Sequence, residues 1–188
     1  MSEIYEPQED SYLMSEVLKT ELPKLIKQNP KLKFLEVGCG SGINLRTALD
    51  IGVKKNNVLG ADVNSKAVKH CRGLGLKVIQ SNLFNGINGK YGKFDVISFN
   101  PPYLPFDKRE PRDSRIATTG GKKGNELTLR FLKQAKIYLN KKGRIFLVTS
   151  SLAEKVDFDK LGYCPKILSE KKLFFEKLFC WELILTNQ

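Results

Sequence analysis

Asn100-Pro101-Pro102-Tyr103 sets a side-chain amide, an X-Pro carbonyl and an aromatic ring on consecutive residues, directly after the apolar run 94–99. That run is short and rich in aromatic and β-branched residues, so it reads as a buried strand. Two prolines cannot continue it, because neither has an amide hydrogen and each fixes φ. Pro101 also drives Asn100 into an extended conformation. A rigid corner at the carboxyl end of a strand follows, and open α/β sheets bind ligands at that end. An Asn oxygen and a backbone carbonyl both accept from a planar NH2 group, and the Tyr ring can stack on the plane carrying it. Such a corner suits an amide or an arylamine. The plain alternative is an Asn-Pro-Pro turn that only ends a strand.

A second cluster lies upstream. Glu36-Val37-Gly38-Cys39-Gly40-Ser41-Gly42 is a glycine-rich turn between a predicted strand and a predicted helix, where backbone can approach a ligand closely. The glycines fall at 38, 40 and 42 and position 43 is Ile, so the GxGxxG dinucleotide fingerprint is not met, and no GK[ST] phosphate loop is present. What is present is an acid before the loop, Glu36, and another, Asp62, ending the next strand. A carboxylate at that second strand end suits the two hydroxyls of a ribose. An acid beside the loop suits a cation better than a pyrophosphate. Together they point to a nucleoside with a positive centre.

The elements that must position these residues alternate. Strands are predicted at 33–37, 57–62, 76–80, 94–99 and 144–150, with helices at 44–51, from Asn64 or Ser65 onward, and from an Asn125 cap through Leu139 to a Lys141-Lys142-Gly143 stop. Residues 165–168 and 179–186 form a closing antiparallel pair. Before the first strand, 9–26 carries Leu13, Met14, Val17 and Leu18 at helical spacing, and Pro23 allows one helix or two. Residues 104–124 form the one long irregular stretch, dense in charge (Asp107, Lys108, Arg109, Glu110, Arg112, Asp113, Arg115) and ending in Gly120-Gly121-Lys122-Lys123-Gly124. The expectation is an α/β fold in a single domain over 1–188, with an N-terminal helical segment (1–30) and a functional loop (104–124).

Composition narrows the class. Among 188 residues, 32 Lys and Arg stand against 20 Asp and Glu, and the net charge of +12 favours an acidic partner such as nucleic acid or a particle containing it. No apolar run approaches the ~20 residues that span a membrane, and the acidic start is unlike a signal peptide. Cys39, Cys71, Cys164 and Cys180 form no CxxC pair, so no zinc site is expected and a reduced, cytoplasmic compartment is. The single histidine, His70, reads as a surface residue.

The order ExGxGxG, then Asp62, then Asn-Pro-Pro-Tyr resembles the class I S-adenosylmethionine methyltransferases that act on amino or amide nitrogen. Tyr5-Glu6-Pro7-Gln8-Glu9-Asp10-Ser11, Gly120 to Glu126 and Lys172-Leu173-Phe174-Phe175-Glu176 narrow the likeness. Together they resemble the short archaeal and eukaryotic branch of the HemK-like glutamine methyltransferases, over nearly the whole chain. The resemblance implies a Rossmann-like, mostly parallel seven-stranded sheet with an antiparallel C-terminal edge and helices on both faces.

It also implies roles. Glu36, Gly38 and Gly40 line the methionine side of the donor, Asp62 takes the ribose hydroxyls, and Ser11 touches the donor from the N-terminal segment. Asn82-Leu83 matches the adenine site, where the family usually has Asp; Asn82 keeps an acceptor oxygen. Asn100, Pro101, Pro102 and Tyr103 hold the acceptor, with Asn100 also bordering the donor. The implied substrate is the glutamine of the Gly-Gly-Gln motif of a class 1 release factor. The implied partner is a small zinc-binding activator subunit in a heterodimer, for which strand 76–80 is a docking edge or simply a sheet edge. The same corner serves adenine and guanine amines, so a nucleic-acid methyltransferase, or a role near the ribosome, is the alternative. A basic binding module without catalysis is the third reading.

Overall fold

The computed structural model describes residues 4–109, 111, 115 and 118–186. The expectations placed on Glu110, Arg112 and Asp113 lie outside the described residues. Helix α1 (Glu9–Gln28) runs unbroken through the exposed Pro23, so the choice between one helix and two resolves to one. Its acidic first turn, Glu9 and Asp10, suits a helix N-terminus. Then follow β1 (Phe34–Val37), α2 (Ile43–Asp50), β2 (Val58–Asp62), α3 (Ser65–Gly73), β3 (Val78–Gln80) and β4 (Phe94–Phe99). Asn64 caps α3 by accepting from the Lys66 amide.

After β4 come two short strands, β5 (Leu104–Pro105) and β6 (Thr119–Gly121), then α4 (Glu126–Ala135) and the strands β7 (Leu139–Ser150), β8 (Tyr163–Lys172) and β9 (Lys177–Leu185). The stretch 104–124 is therefore not wholly irregular. β5 and β6 pair in parallel as a small second sheet. The C-terminal end of α4 also departs from expectation. It stops at Ala135, and Lys141-Lys142-Gly143 falls inside β7, where Lys142 takes a positive φ and the β4 register shifts. Asn125 precedes α4 but does not cap it; its side chain donates to the Glu154 carbonyl oxygen instead.

Seven strands form the main sheet in the order β3-β2-β1-β4-β7-β9-β8. β1, β2, β3, β4 and β7 are parallel, while β9 runs antiparallel between β7 and β8. Every residue of β1 and β2 is buried, as expected of parallel strands covered on both faces. Alternation splits the side chains. Phe34, Val58, Val96 and Phe146 pack with α1, α2 and α3, whereas Leu35, Leu59, Ile97 and Ile145 pack with α4. The fold is the α/β class expected, with helices on both faces and an antiparallel C-terminal edge.

Phe131 is the pin of the α4 face. It is fully buried, with its ring 4.4 Å from that of Phe99 and 5.5 Å from that of Phe84. Phe131→Ala is expected to lower unfolding stability by about 3–5 kcal/mol, the cost of an aromatic cavity in a packed core. Chemical denaturation checks this.

Candidate active site

The turn after β1 is built from left-handed glycines, with φ of +67° at Gly38, +49° at Gly40 and +80° at Gly42. At Gly42 space forbids a side chain as well: a Cβ would lie 2.7 Å from Leu76 and 2.9 Å from the Cys71 sulfur. The turn can therefore press down onto α3 while it passes across the carboxyl ends of β1 and β2. Asp62 fixes it from the next strand, accepting from the Gly40 amide at 2.8 Å and from the Asn64 amide at 2.8 Å.

A cavity of about 310 Å³ opens over these strand ends. The structure brings Ser11, Glu36, Gly38, Gly40, Asp62, Asn82, Leu83, Asn100, Pro101 and Pro102 into its lining. These residues come from α1, β1, β2, the segment after β3 and the corner after β4, so the expected site assembles from five separate stretches. Tyr103 is the exception. It lines a neighbouring cavity of about 560 Å³ with Trp181, Phe179 and Phe158, and its hydroxyl donates to Asp10 at 3.4 Å. Tyr103 thus borders the adjoining space, with its hydroxyl held by α1.

Two carboxylates give the first cavity its electrostatics. Glu36 is buried; its Oε1 accepts from the Asn44 side-chain amide at 2.9 Å, and its Oε2 has no partner. Burial pushes its pKa up to about 8, against the opposing Asn44 hydrogen bond, with Cys71 and Asp62 adding to the rise. Burial likewise raises Asp62, opposed by the backbone amides it accepts from. Asn100 Oδ1 is also buried and unpartnered. A cavity with one orphaned carboxylate oxygen and one orphaned amide oxygen fits a cationic ligand at the first and an N–H donor at the second.

The corner itself is clamped from outside. A Cβ on Gly120 would lie 2.6 Å from the Pro102 carbonyl oxygen and would also clash with the Gly124 carbonyl; one on Gly124 would strike the Tyr103 carbonyl. The glycines of 120–124 are thus needed for close approach to the backbone of 102–103. Asn82 is exposed at the rim, while Leu83 is buried with φ +51°, held by the Ser81 hydroxyl donating to its carbonyl at 2.7 Å.

The structure adds residues that sequence reasoning did not single out. Asn44 orients Glu36 from the first turn of α2. Asp10, read only as part of an acidic helix start, is buried and receives the hydroxyls of both Tyr5 and Tyr103. Leu127 and Arg130 reach the cavity from α4. Asn44 could have been anticipated from its place two residues after Gly42. The Asp10 pairing joins positions 93 residues apart and left no local signal.

The family model described as the methyltransferase small domain matches residues 13–170. The chain belongs to that family and so to the S-adenosylmethionine-dependent methyltransferases. A Methanocaldococcus jannaschii protein to which protein N5-glutamine methyltransferase activity is ascribed is 36% identical, over 96% of this chain and 93% of that one. The eRF1 methyltransferase catalytic subunit mtq2 of Schizosaccharomyces pombe is 28% identical over 78% of this chain and 72% of its own. Among solved structures, the E. cuniculi Mtq2–Trm112 complex, described as responsible for methylation of the eRF1 termination factor, contains a chain with the same fold. Its TM-score is 0.66 at 24% identity, covering 95% of this chain and 96% of that one.

A cationic donor seated beside Glu36 would bind with a pH dependence set by that carboxyl. Below about 8 the donor-free protein holds it largely protonated, whereas a cationic ligand favours the carboxylate, so binding expels a proton. Donor affinity should therefore rise with pH between about 6 and 7.5, by up to about tenfold per unit, and Glu36→Gln should flatten the slope. Calorimetric titration in two buffers reads both the affinity and the released proton. Stability of the donor-free protein should fall as pH rises toward 8, because the raised pKa favours folding only while the carboxyl keeps its proton.

Proposed function

We propose that this chain methylates the side-chain amide nitrogen of the glutamine in the Gly-Gly-Gln motif of a class 1 release factor. The observation that carries the reading is the buried, unpartnered Oδ1 of Asn100 in the same cavity as Glu36 and Asp62. It sets an acceptor for a planar NH2 beside a pocket for a cationic nucleoside. The named activities of the relatives support the glutamine amide over a nucleic-acid base.

When bound, S-adenosylmethionine supplies a methyl group on a positively charged sulfur, which is already electrophilic. Glu36 would face the cationic end, with Gly38 and Gly40 giving it room. Asp62 would accept from the ribose hydroxyls, Asn82 and Leu83 would border the adenine, and Ser11 would close the pocket from α1. The acceptor amide is a poor nucleophile because its lone pair is delocalised. Asn100 Oδ1 and the Pro101 carbonyl each accept one of its hydrogens, which stabilises positive charge growing on nitrogen. No acid or base is needed, since in-line positioning is the main contribution. The proton left on the methylated nitrogen passes to solvent. Pro102 keeps the corner rigid. Tyr103, tied to Asp10, acts from behind the corner as a positioning residue.

In this reading residues 1–188 act as one methyltransferase domain in the cytoplasm, in keeping with the four free cysteines. A small zinc-binding subunit docks along β3, the edge of the main sheet, beside the exposed Val63 and Leu74. The complex among the solved relatives supports such a heterodimer.

Transfer of a labelled methyl group tests the function. The acceptors are a release factor, its Gln→Ala variant, DNA and RNA, each with and without the candidate subunit. Label on the intact factor alone is expected; label on nucleic acid alone overturns the reading. Asn100→Ala should cut transfer by at least about a hundredfold while leaving donor affinity nearly unchanged. Loss of both together would remove Asn100 from the role assigned to it.

A further inference from the structure

The turn between β8 and β9 carries two side chains that the core does not use. Phe174 is 92% exposed and Phe175 84% exposed, and they touch each other edge to face with centroids 4.6 Å apart. Exposed apolar side chains scattered singly are ordinary, but a contiguous aromatic pair on an otherwise charged turn marks an interaction site. The base of the turn is firm. The Leu173 amide donates to the Glu176 carbonyl, the Glu176 carboxylate accepts from the Ser150 hydroxyl at 2.6 Å, and the Lys177 amide donates to the Ser151 hydroxyl. Lys171 pairs with Glu9 at the start of α1.

The position of the turn gives it meaning. Ser150 ends β7 and pairs with Leu178 in β9, so the turn stands at the carboxyl ends of the parallel strands, where the candidate active site opens. The Glu176 carboxylate bears on Tyr5 and Tyr103 at the corner. Lys171, Lys172 and Lys177 flank the rings in sequence; Lys171 pairs with Glu9 and Lys177 with Glu170.

Resting on the glutamine reading, we infer that Phe174 and Phe175 form the anchor by which the acceptor protein docks, entering an apolar depression on that protein. A glutamine side chain that reaches Asn100 belongs to a polypeptide whose surface must come close to this turn. Two rings of this size bury on the order of 150–250 Å² each, a large part of the ~800 Å² that one partner contributes to a stable interface. A stacked nucleic-acid base is the other occupant such a pair could take, and the test separates the two.

The experiment compares the wild-type protein with the double variant Phe174→Ser and Phe175→Ser, with and without the candidate partner subunit. The acceptors are an intact release factor and a short peptide carrying its Gly-Gly-Gln segment. Both rings are exposed, so the melting temperature should not change. With the intact factor, KM should rise about tenfold or more at constant kcat, the usual result of removing an aromatic hot spot. The peptide should be methylated at the wild-type rate, and Phe174→Trp with Phe175→Trp should restore the intact factor.

Equal kcat/KM for both proteins on the intact factor overturns the inference alone, as does an equal loss on factor and peptide. RNA and DNA binding by both proteins is measured alongside, and a loss confined to it overturns the inference too. Wild-type protein that labels neither factor nor peptide under any condition overturns the glutamine reading and this inference with it.

Discussion

Burial of the Glu36 carboxyl at the end of β1 is the constraint on which the site depends. A carboxyl in that position is expensive to ionise without a cation, and the fold supplies none among the described residues: one oxygen has the Asn44 amide, the other nothing. Asp62 lies near enough to add to the rise. Among the described residues Glu36 is thus packed without an ion-pair partner, although Arg130 reaches the same cavity from α4. The α2 start that carries Asn44 and the burial of β1 on both faces keep it so. Such a pocket discriminates by charge before it discriminates by shape.

The acceptor side works by rigidity rather than by charge. Two prolines fix φ after β4, and the loop 120–124 lies so close to the carbonyls of 102 and 103 that only glycine fits. Asp10 ties the Tyr103 hydroxyl to α1. The corner is thus held from three directions, and the amide oxygen of Asn100 beside it is buried without a partner. Donor and acceptor recognition therefore use opposite means on adjacent strand ends.

Much of this was legible in the sequence, and for identifiable reasons. Apolar runs of five or six residues alternating with helical spacing gave the parallel sheet, because β1, β2 and β4 are buried on both faces and tolerate little else. The positions of Glu36, Asp62 and Asn100 were readable because each follows directly from a strand end. Where the reading departed from the structure, the competing cause was tertiary. Lys141-Lys142-Gly143 has the composition of a helix stop, yet the segment falls within β7, at the register shift between its β4 pairs at Leu139 and Arg144. Asn125 has the right type for a cap, but Glu154 offers its carbonyl. Tyr103 has a ring suited to stacking, and a buried carboxylate 93 positions away claims its hydroxyl. Side chains with several uses are assigned by contacts that sequence spacing does not contain.

The antiparallel insertion of β9 has an evolutionary consequence. The parallel strands β1 to β4 hand their loops directly to the first cavity, so a change of length there reshapes it. The β8–β9 hairpin instead presents only its turn at that end, and its rails continue down to the far edge of the sheet. A hairpin tip can lengthen, shorten or exchange residues while its rails stay in register. The fold thereby separates the strand-end loops that build the first cavity, which tolerate little drift, from a turn whose length and residues are free to change.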